Sequence, residues 1–165
     1  MILIGLGANL DSPLWGAPRD TLGAALVSLA SYGVAVLARS SWYRSAPVPP
    51  SDQPWFLNAV VAVAAQAEPH RLLALMQSIE TRFGRVRSHE RNAARVLDLD
   101  LLDYDGERVA SPDLILPHPR MHQRRFVLEP LAEIAPEWRH PVSGATARQL
   151  LAVLDADQPI ERLPF

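Results

Sequence analysis

The segment Leu97-Asp98-Leu99-Asp100-Leu101 sets two carboxylates two residues apart among leucines. In a strand, alternation sends Asp98 and Asp100 to one face and the leucines to the other. The carboxylates then stand one pleat repeat apart, about 7 Å from the strand rise. That is close enough to share or bridge hard cations, which prefer oxygen ligands. A solvated strand face offers the same pattern, so the neighbouring residues must decide. Arg82 to Arg95 carries five arginines in fourteen residues, and Val96 to Asp105 carries four aspartates in ten. Aspartate is a poor strand former, and two of them in a leucine-rich strand need compensating charge. A divalent cation with polyphosphate supplies it, and an arginine loop beside metal-binding carboxylates suits phosphoryl transfer, which depends mainly on positioning and charge stabilisation.

Other residues add to this constellation. His118, in Leu116-Pro117-His118-Pro119-Arg120, is stiffened by a proline on each side and followed by Arg120, Arg124 and Arg125, a setting that favours a phosphate contact over a purely structural histidine. Phe56 and Phe126 are core candidates that can also stack on a flat heterocycle. Gly5-Leu6-Gly7-Ala8-Asn9 reads as a tight turn after a strand, since it lacks the third glycine of a dinucleotide loop. The chain has no lysine, so all 16 positive side chains are arginine and a Walker A loop is excluded.

These residues need elements to carry them. Ile2 to Leu6 reads as a buried strand, Ala17 to Ser31 as a helix closed by Gly33, and Val34 to Tyr43 as a second strand. A loop from Arg44 to Pro54 with four prolines follows; its length suits a binding role. Trp55 to Ala67 reads as the third strand. A helix opens at Glu68-Pro69 and ends at Gly84, and Val96 to Tyr104 is the fourth strand. Beyond the turn at Asp105-Gly106, Val109 to Ser111 is a short return and Leu114 to Pro119 is extended. Helical patterns cover Arg125 to Ile134 and Thr146 to Leu154. The order β, α, β, β, α, β then helices predicts an α+β domain with a ferredoxin-like βαββαβ core, helices packing on an antiparallel sheet. Residues 1–165 are expected to form one domain.

Composition sets outer limits. A formal net charge of -2 argues against a protein whose main work is coating nucleic acid or an anionic membrane. The absence of cysteine removes disulfides, thiolate metal sites and thiol nucleophiles. No apolar stretch approaches the roughly 18 residues of a membrane span, and no secretion leader is evident. A soluble cytoplasmic protein is expected.

Taken together, Gly5 to Leu10, Gln53-Pro54-Trp55-Phe56-Leu57-Asn58-Ala59-Val60, Ile79-Glu80 with Gly84-Arg85-Val86-Arg87, Arg95 to Asp100, Leu116-Pro117-His118-Pro119 and Arg124-Arg125-Phe126-Val127-Leu128 resemble the 6-hydroxymethyl-7,8-dihydropterin pyrophosphokinases of folate biosynthesis, nearly end to end. The resemblance implies a ferredoxin-like domain that binds two magnesium ions, ATP as co-substrate and then the pterin, with AMP as leaving group. It implies that Asp98 and Asp100 ligate the metal, with Asp100 assisting deprotonation of the pterin hydroxyl. Arg85 and Arg95 would be catalytic arginines on a loop that closes over the phosphates. Gln77, Glu80, Arg87, His118 and Arg124 would contact ATP. Ser45, Ala46, Val48, Phe56, Asn58 and Phe126 would bind the pterin, the two phenylalanines stacking on its ring. A monomer acting on small molecules is expected, without nucleic-acid or membrane partners.

The chain also departs from the resemblance. Asn92-Ala93-Ala94 stands where many relatives have Trp-Gly-Pro, so the closing loop lacks an aromatic cover; Ser88 and Asp113 stand where some have lysine and arginine. Two alternatives stay open at this level: a pterin-binding relative without activity, and an RNA-binding module built on the same element order.

Overall fold

The structure is a computed structural model and describes residues 1–86, 90–155 and 157–164. In chain order the elements are β1 (Ile2–Ala8), α1 (Pro18–Ser31), β2 (Ala35–Arg39), β3 (Tyr43–Ser45), β4 (Phe56–Ala64), α2 (Pro69–Arg82) and β5 (Asp98–Tyr104). A small hairpin of β6 (Val109–Ala110) and β7 (Ile115–Leu116), a 3-10 turn at Met121–Gln123, α3 (Arg125–Ile134), α4 (Ala147–Ala152) and β8 (Ile160–Arg162) complete the chain. Pro18 and Pro69 occupy first-turn positions of α1 and α2, where a missing N–H removes no helical bond. Gly84 takes a φ of 93° just past α2, a left-handed conformation that lets the chain turn toward Arg85.

The fold is α+β. Its main sheet runs β5-β1-β4-β3-β8, with β2 on the other half of β4, and every pairing is antiparallel. Alternation along the central strands divides apolar residues between two cores. Ala59, Val61 and Val63 of β4 join Leu97, Leu99 and Leu101 in packing on the α1 and α2 side with Leu22, Leu29, Met76 and Ile79. Val60 and Ala62 instead meet Leu3, Leu102 and the α3 residues Val127, Leu128 and Leu131 on the opposite face. The pairing of β1 with β5 shifts register between Leu3 and Ile4, with Leu3 opposite Asp103 and Ile4 opposite Leu101. One extra residue on β5 therefore returns Tyr104 to the first core, while buried Asp103 accepts a 2.8 Å hydrogen bond from the Trp138 indole.

Three expectations change. The Gly-Leu-Gly-Ala stretch is no turn: β1 continues through Ala8 and pairs on both sides. The single strand expected over Val34 to Tyr43 is two strands separated by Ser40-Ser41-Trp42, because the Ser40 hydroxyl accepts the Val60 N–H at 3.0 Å and interrupts the ladder. Residues Arg44 and Ser45, expected in the loop, close β3, and their partner strand β8 had no counterpart among the expected elements. Among the described residues no helix is long and apolar enough to cross a membrane.

Leu99 sits between the two aspartates and is 4% exposed. Leu99→Ala is expected to destabilise the protein by about 2–5 kcal/mol through lost transfer energy and a cavity, read as a lower urea midpoint with an unchanged slope.

Candidate active site

Strand β5 presents Asp98 and Asp100 on the face opposite Leu97, Leu99 and Leu101. Their cross-strand neighbours on β1 are Gly7, opposite Asp98, and Gly5, opposite Asp100. Side chains at those positions would stand beside the carboxylates. A Cβ on Gly7 would lie 3.2 Å from Asn58 Oδ1, and one on Gly5 would touch Leu102 at 3.5 Å. The glycines thus keep clear the floor next to both acids, a role distinct from the turn expected of them.

Arginines surround the pair. Asp98 Oδ1 accepts from Arg85 Nη1 at 3.0 Å and lies 2.9 Å from Arg95 Nη1, while Asp100 Oδ2 lies 3.7 Å from Arg124 Nη1. Glu80 of α2, 3% exposed, bonds Arg85 through Oε2 and accepts the Leu99 backbone N–H at 3.1 Å with the same oxygen. It therefore holds Arg85 and anchors β5 between the aspartates. Burial raises the pKa of Glu80 in spite of the Arg85 charge, with Asp98 repulsion adding to the rise. Asp100 is raised as well, first by burial and then by Asp98, against the lowering pull of Arg124, Arg95 and Arg85. Negative charge on this face is costly unless a positive group answers it.

Two clefts meet at this strand. One, about 760 Å³ including its open mouth, is walled by Ser45, Ala46, Val48, Phe56, Asn58 and Phe126, all six residues expected to hold a heterocycle. The other, about 1420 Å³ on the same measure, is lined by Gln77, Glu80, Arg85 and Arg120. Asp98, Asp100, Arg91, Arg95 and Ala93 line both. The carboxylates accordingly sit where contents of one cleft touch contents of the other.

The loops are tied together by Asn9, which is 4% exposed. Its side chain donates to Gln53 Oε1 at 3.1 Å and to the Pro54 carbonyl at 3.0 Å, and accepts the Arg95 N–H at 2.7 Å. Gln53 also donates to the Asn92 carbonyl. The Pro-rich loop and the arginine loop are thus braced against the end of β1. Asn58 donates to Ser45 Oγ at 2.7 Å across β3 and β4, which orients its amide at the cleft wall.

Arg124 sits 5.4 Å from the Phe126 ring centroid, joining the charged and aromatic parts of the site. His118 lines neither of the two clefts; it borders a third cavity with Arg108 and His140. Its Nδ1 accepts the Arg120 N–H at 3.1 Å, which leaves the Nε2 proton as its donor. Arg87 lies outside the described residues. Asn9, Gly5, Gly7 and Arg91 escaped a role in the sequence reading; only the close succession of two glycines and an asparagine after an apolar strand hinted at the first three.

A family model described as 7,8-dihydro-6-hydroxymethylpterin-pyrophosphokinase (HPPK) matches residues 3–136. A Methylorubrum extorquens protein named 2-amino-4-hydroxy-6-hydroxymethyldihydropteridine pyrophosphokinase is 44% identical over 153 residues, 92% of each chain. A Pseudomonas aeruginosa protein of the same name is 39% identical over 99% of this chain and 96% of its own. Among solved structures, a Plasmodium falciparum HPPK-DHPS triple mutant superposes with a TM-score of 0.71 at 15% identity, covering 92% of this chain and 43% of that longer one. That likeness concerns the fold.

Burial, with Arg124 and Arg120 nearby, holds the His118 pKa down to about 4. The folded value lies below the ordinary 6.5, so the stabilisation His118 brings is present above pH 6.5 and is lost as pH falls toward 4. NMR titration of the free protein is expected to find this imidazole still neutral at pH 5.5. His118→Gln is expected to flatten the acid-side fall in melting temperature.

Proposed function

The chain belongs to the 7,8-dihydro-6-hydroxymethylpterin-pyrophosphokinase family, and from that premise we propose that it transfers a diphosphoryl group from ATP to the hydroxymethyl group of 6-hydroxymethyl-7,8-dihydropterin, releasing AMP, as a step of folate biosynthesis. The observation that carries this reading is the meeting of two clefts at Asp98, Asp100 and Arg95. One cleft has aromatic and amide walls suited to a pterin; the other has arginines suited to a triphosphate. The sheet order β5-β1-β4 with β2 and β3 beside β4 supports a ferredoxin-like core.

In this reading Phe56 and Phe126 hold the pterin ring, Asn58 and the backbone around Ser45, Ala46 and Val48 read its polar edge, and the hydroxymethyl group points to the carboxylates. Gln77 and Glu80, which line the arginine cleft, serve ATP with Arg87; Arg124, which lines the aromatic-walled cleft 3.7 Å from Asp100, meets the phosphates from that side, and His118, which lines neither cleft, keeps an ATP role from the family resemblance alone. The substrate hydroxyl oxygen attacks the β-phosphorus in line; the new O–P bond forms as the bond from the β-phosphorus to the α,β-bridging oxygen breaks, and AMP departs with the bond electrons. The hydroxyl proton passes to Asp100, the carboxylate that stands on the floor of the aromatic-walled cleft. Arg85 and Arg95, held against Asp98, are placed to exchange that carboxylate for phosphate oxygens as charge develops.

Hard oxygen donors on one strand face, in a site where burial and mutual repulsion raise the Asp100 pKa, fit magnesium. We assign Asp98 and Asp100 as its holders, with two ions as in the family pattern. Held by these two carboxylates, magnesium would supply positive charge to offset that of the phosphates as it develops.

An AMP-formation assay with ATP, magnesium and hydroxymethyldihydropterin tests the reading. Asp98→Ala and Asp100→Ala are each expected to lower turnover more than about a hundredfold, with circular dichroism unchanged because neither side chain packs in a core. Chelation with EDTA should stop AMP release and added magnesium should restore it. Activity near wild type in either variant would reject the assignment.

A further inference from the structure

The pterin cleft needs two walls at a set spacing, and they come from distant segments. One wall is the end of β3 with Ser45 and Ala46; the other is the start of α3 with Arg124 and Phe126. Each leaves a backbone N–H to be met from elsewhere in the chain, Ala46 in one and Arg125 in the other. Strand β3 has three residues, and α3 follows an N-cap residue, Arg124, whose side chain makes no capping bond, leaving the first N–H groups of the helix in need of acceptors.

A single stretch near the C-terminus supplies both wants. Gln158 Oε1 accepts the Arg125 N–H at 2.9 Å, and its Nε2 donates to the Gln123 carbonyl at 2.9 Å. One amide thus spans the junction between the 3-10 turn and α3, with Arg124 inside the span and Phe126 just beyond it. The next residue, Pro159, accepts the Ala46 N–H through its carbonyl at 3.1 Å, and Ile160 then pairs with Ser45. Arg162 secures the far end, donating to Ser41 Oγ at 2.9 Å and to Glu133 at 3.2 Å. Proline fixes its own φ, so the two anchor points are joined by one stiff residue. This segment lies outside residues 3–136, the span the family model matches.

We propose that Gln158 is a positioning residue for the pterin cleft: by capping α3 from 33 positions away while Pro159 and Ile160 hold β3, it sets the gap between Phe126 and the Ser45–Ala46 wall. It touches no substrate and acts through Phe126. The proposal rests on the assignment of this cleft to the pterin.

The test is calorimetric titration of the full chain with hydroxymethyldihydropterin, in magnesium and a non-hydrolysable ATP analogue, for wild type, Gln158→Ala, Gln158→Glu, Phe126→Leu and the Gln158→Ala/Phe126→Leu double variant. Loss of a helix cap predicts roughly fivefold weaker pterin binding in Gln158→Ala. Gln158→Glu keeps the acceptor for Arg125 but sets a carboxylate oxygen against the Gln123 carbonyl, so it is expected to recover only part of the affinity. In the double variant, removing Gln158 should cost less than twofold beyond Phe126→Leu, because the two act through one contact. Pterin affinity within twofold of wild type in Gln158→Ala would overturn the proposal, as would penalties that simply multiply in the double variant. Should Phe126→Leu itself leave pterin binding untouched, the cleft assignment fails first and the proposal goes with it.

Discussion

Two carboxylates forced onto one strand face about 7 Å apart repel each other by about 2 kcal/mol at an effective dielectric near 20. Leu97, Leu99 and Leu101 impose that arrangement, since turning the strand over to relieve it would expose three core side chains. The fold therefore fixes the acids, and the surroundings answer the charge. Arg85 and Arg95 converge on Asp98, Arg124 faces Asp100, and Glu80 keeps Arg85 in place from beneath. These guanidinium groups supply the countercharge to the two acids within a site already formed.

The adjacent strand makes that exchange spatially possible. Gly5 and Gly7 leave β1 bare beside the acids, so the aromatic-walled cleft reaches down to Asp98 and Asp100, where it meets the arginine cleft. Asn9, at the end of that strand, ties the arginine loop to the Pro-rich loop. A few consecutive residues of β1 thus combine core packing, open space and loop bracing. The meeting of the clefts is where Asn92-Ala93-Ala94 lies as well, with Asn92 and Ala93 lining the aromatic-walled cleft and the Asn92 carbonyl accepting a hydrogen bond from Gln53.

Much of this was legible in the residues. The Leu-Asp-Leu-Asp-Leu alternation located the acids and their shared face, since period-two patterning survives any tertiary detail. Helix α3 occupies the expected span from Arg125 to Ile134, and the six expected heterocycle contacts line one cavity. Local pattern misled at Gly5 and Gly7, where glycine suggested a turn and long-range pairing with β4 and β5 made a strand. It misled again at Ser40, whose hydroxyl takes the Val60 N–H and bonds the Ser41 carbonyl, interrupting a ladder that β-branched composition made look continuous. Strand β8 was invisible because Ile160-Glu161-Arg162 carries little strand signal by itself and forms only against β3. Glu80 was visible as a candidate, but its hold on both Arg85 and the Leu99 N–H depends on how α2 packs against β5.

Anomalous diffraction from crystals grown with manganese, a non-hydrolysable ATP analogue and hydroxymethyldihydropterin probes the carboxylate pair most directly. The account predicts metal peaks at coordination distance from oxygens of both Asp98 and Asp100, between the nucleotide phosphates and the pterin hydroxymethyl group. Metal bound elsewhere, with the two aspartates still paired to arginine and remote from the phosphates, would contradict it.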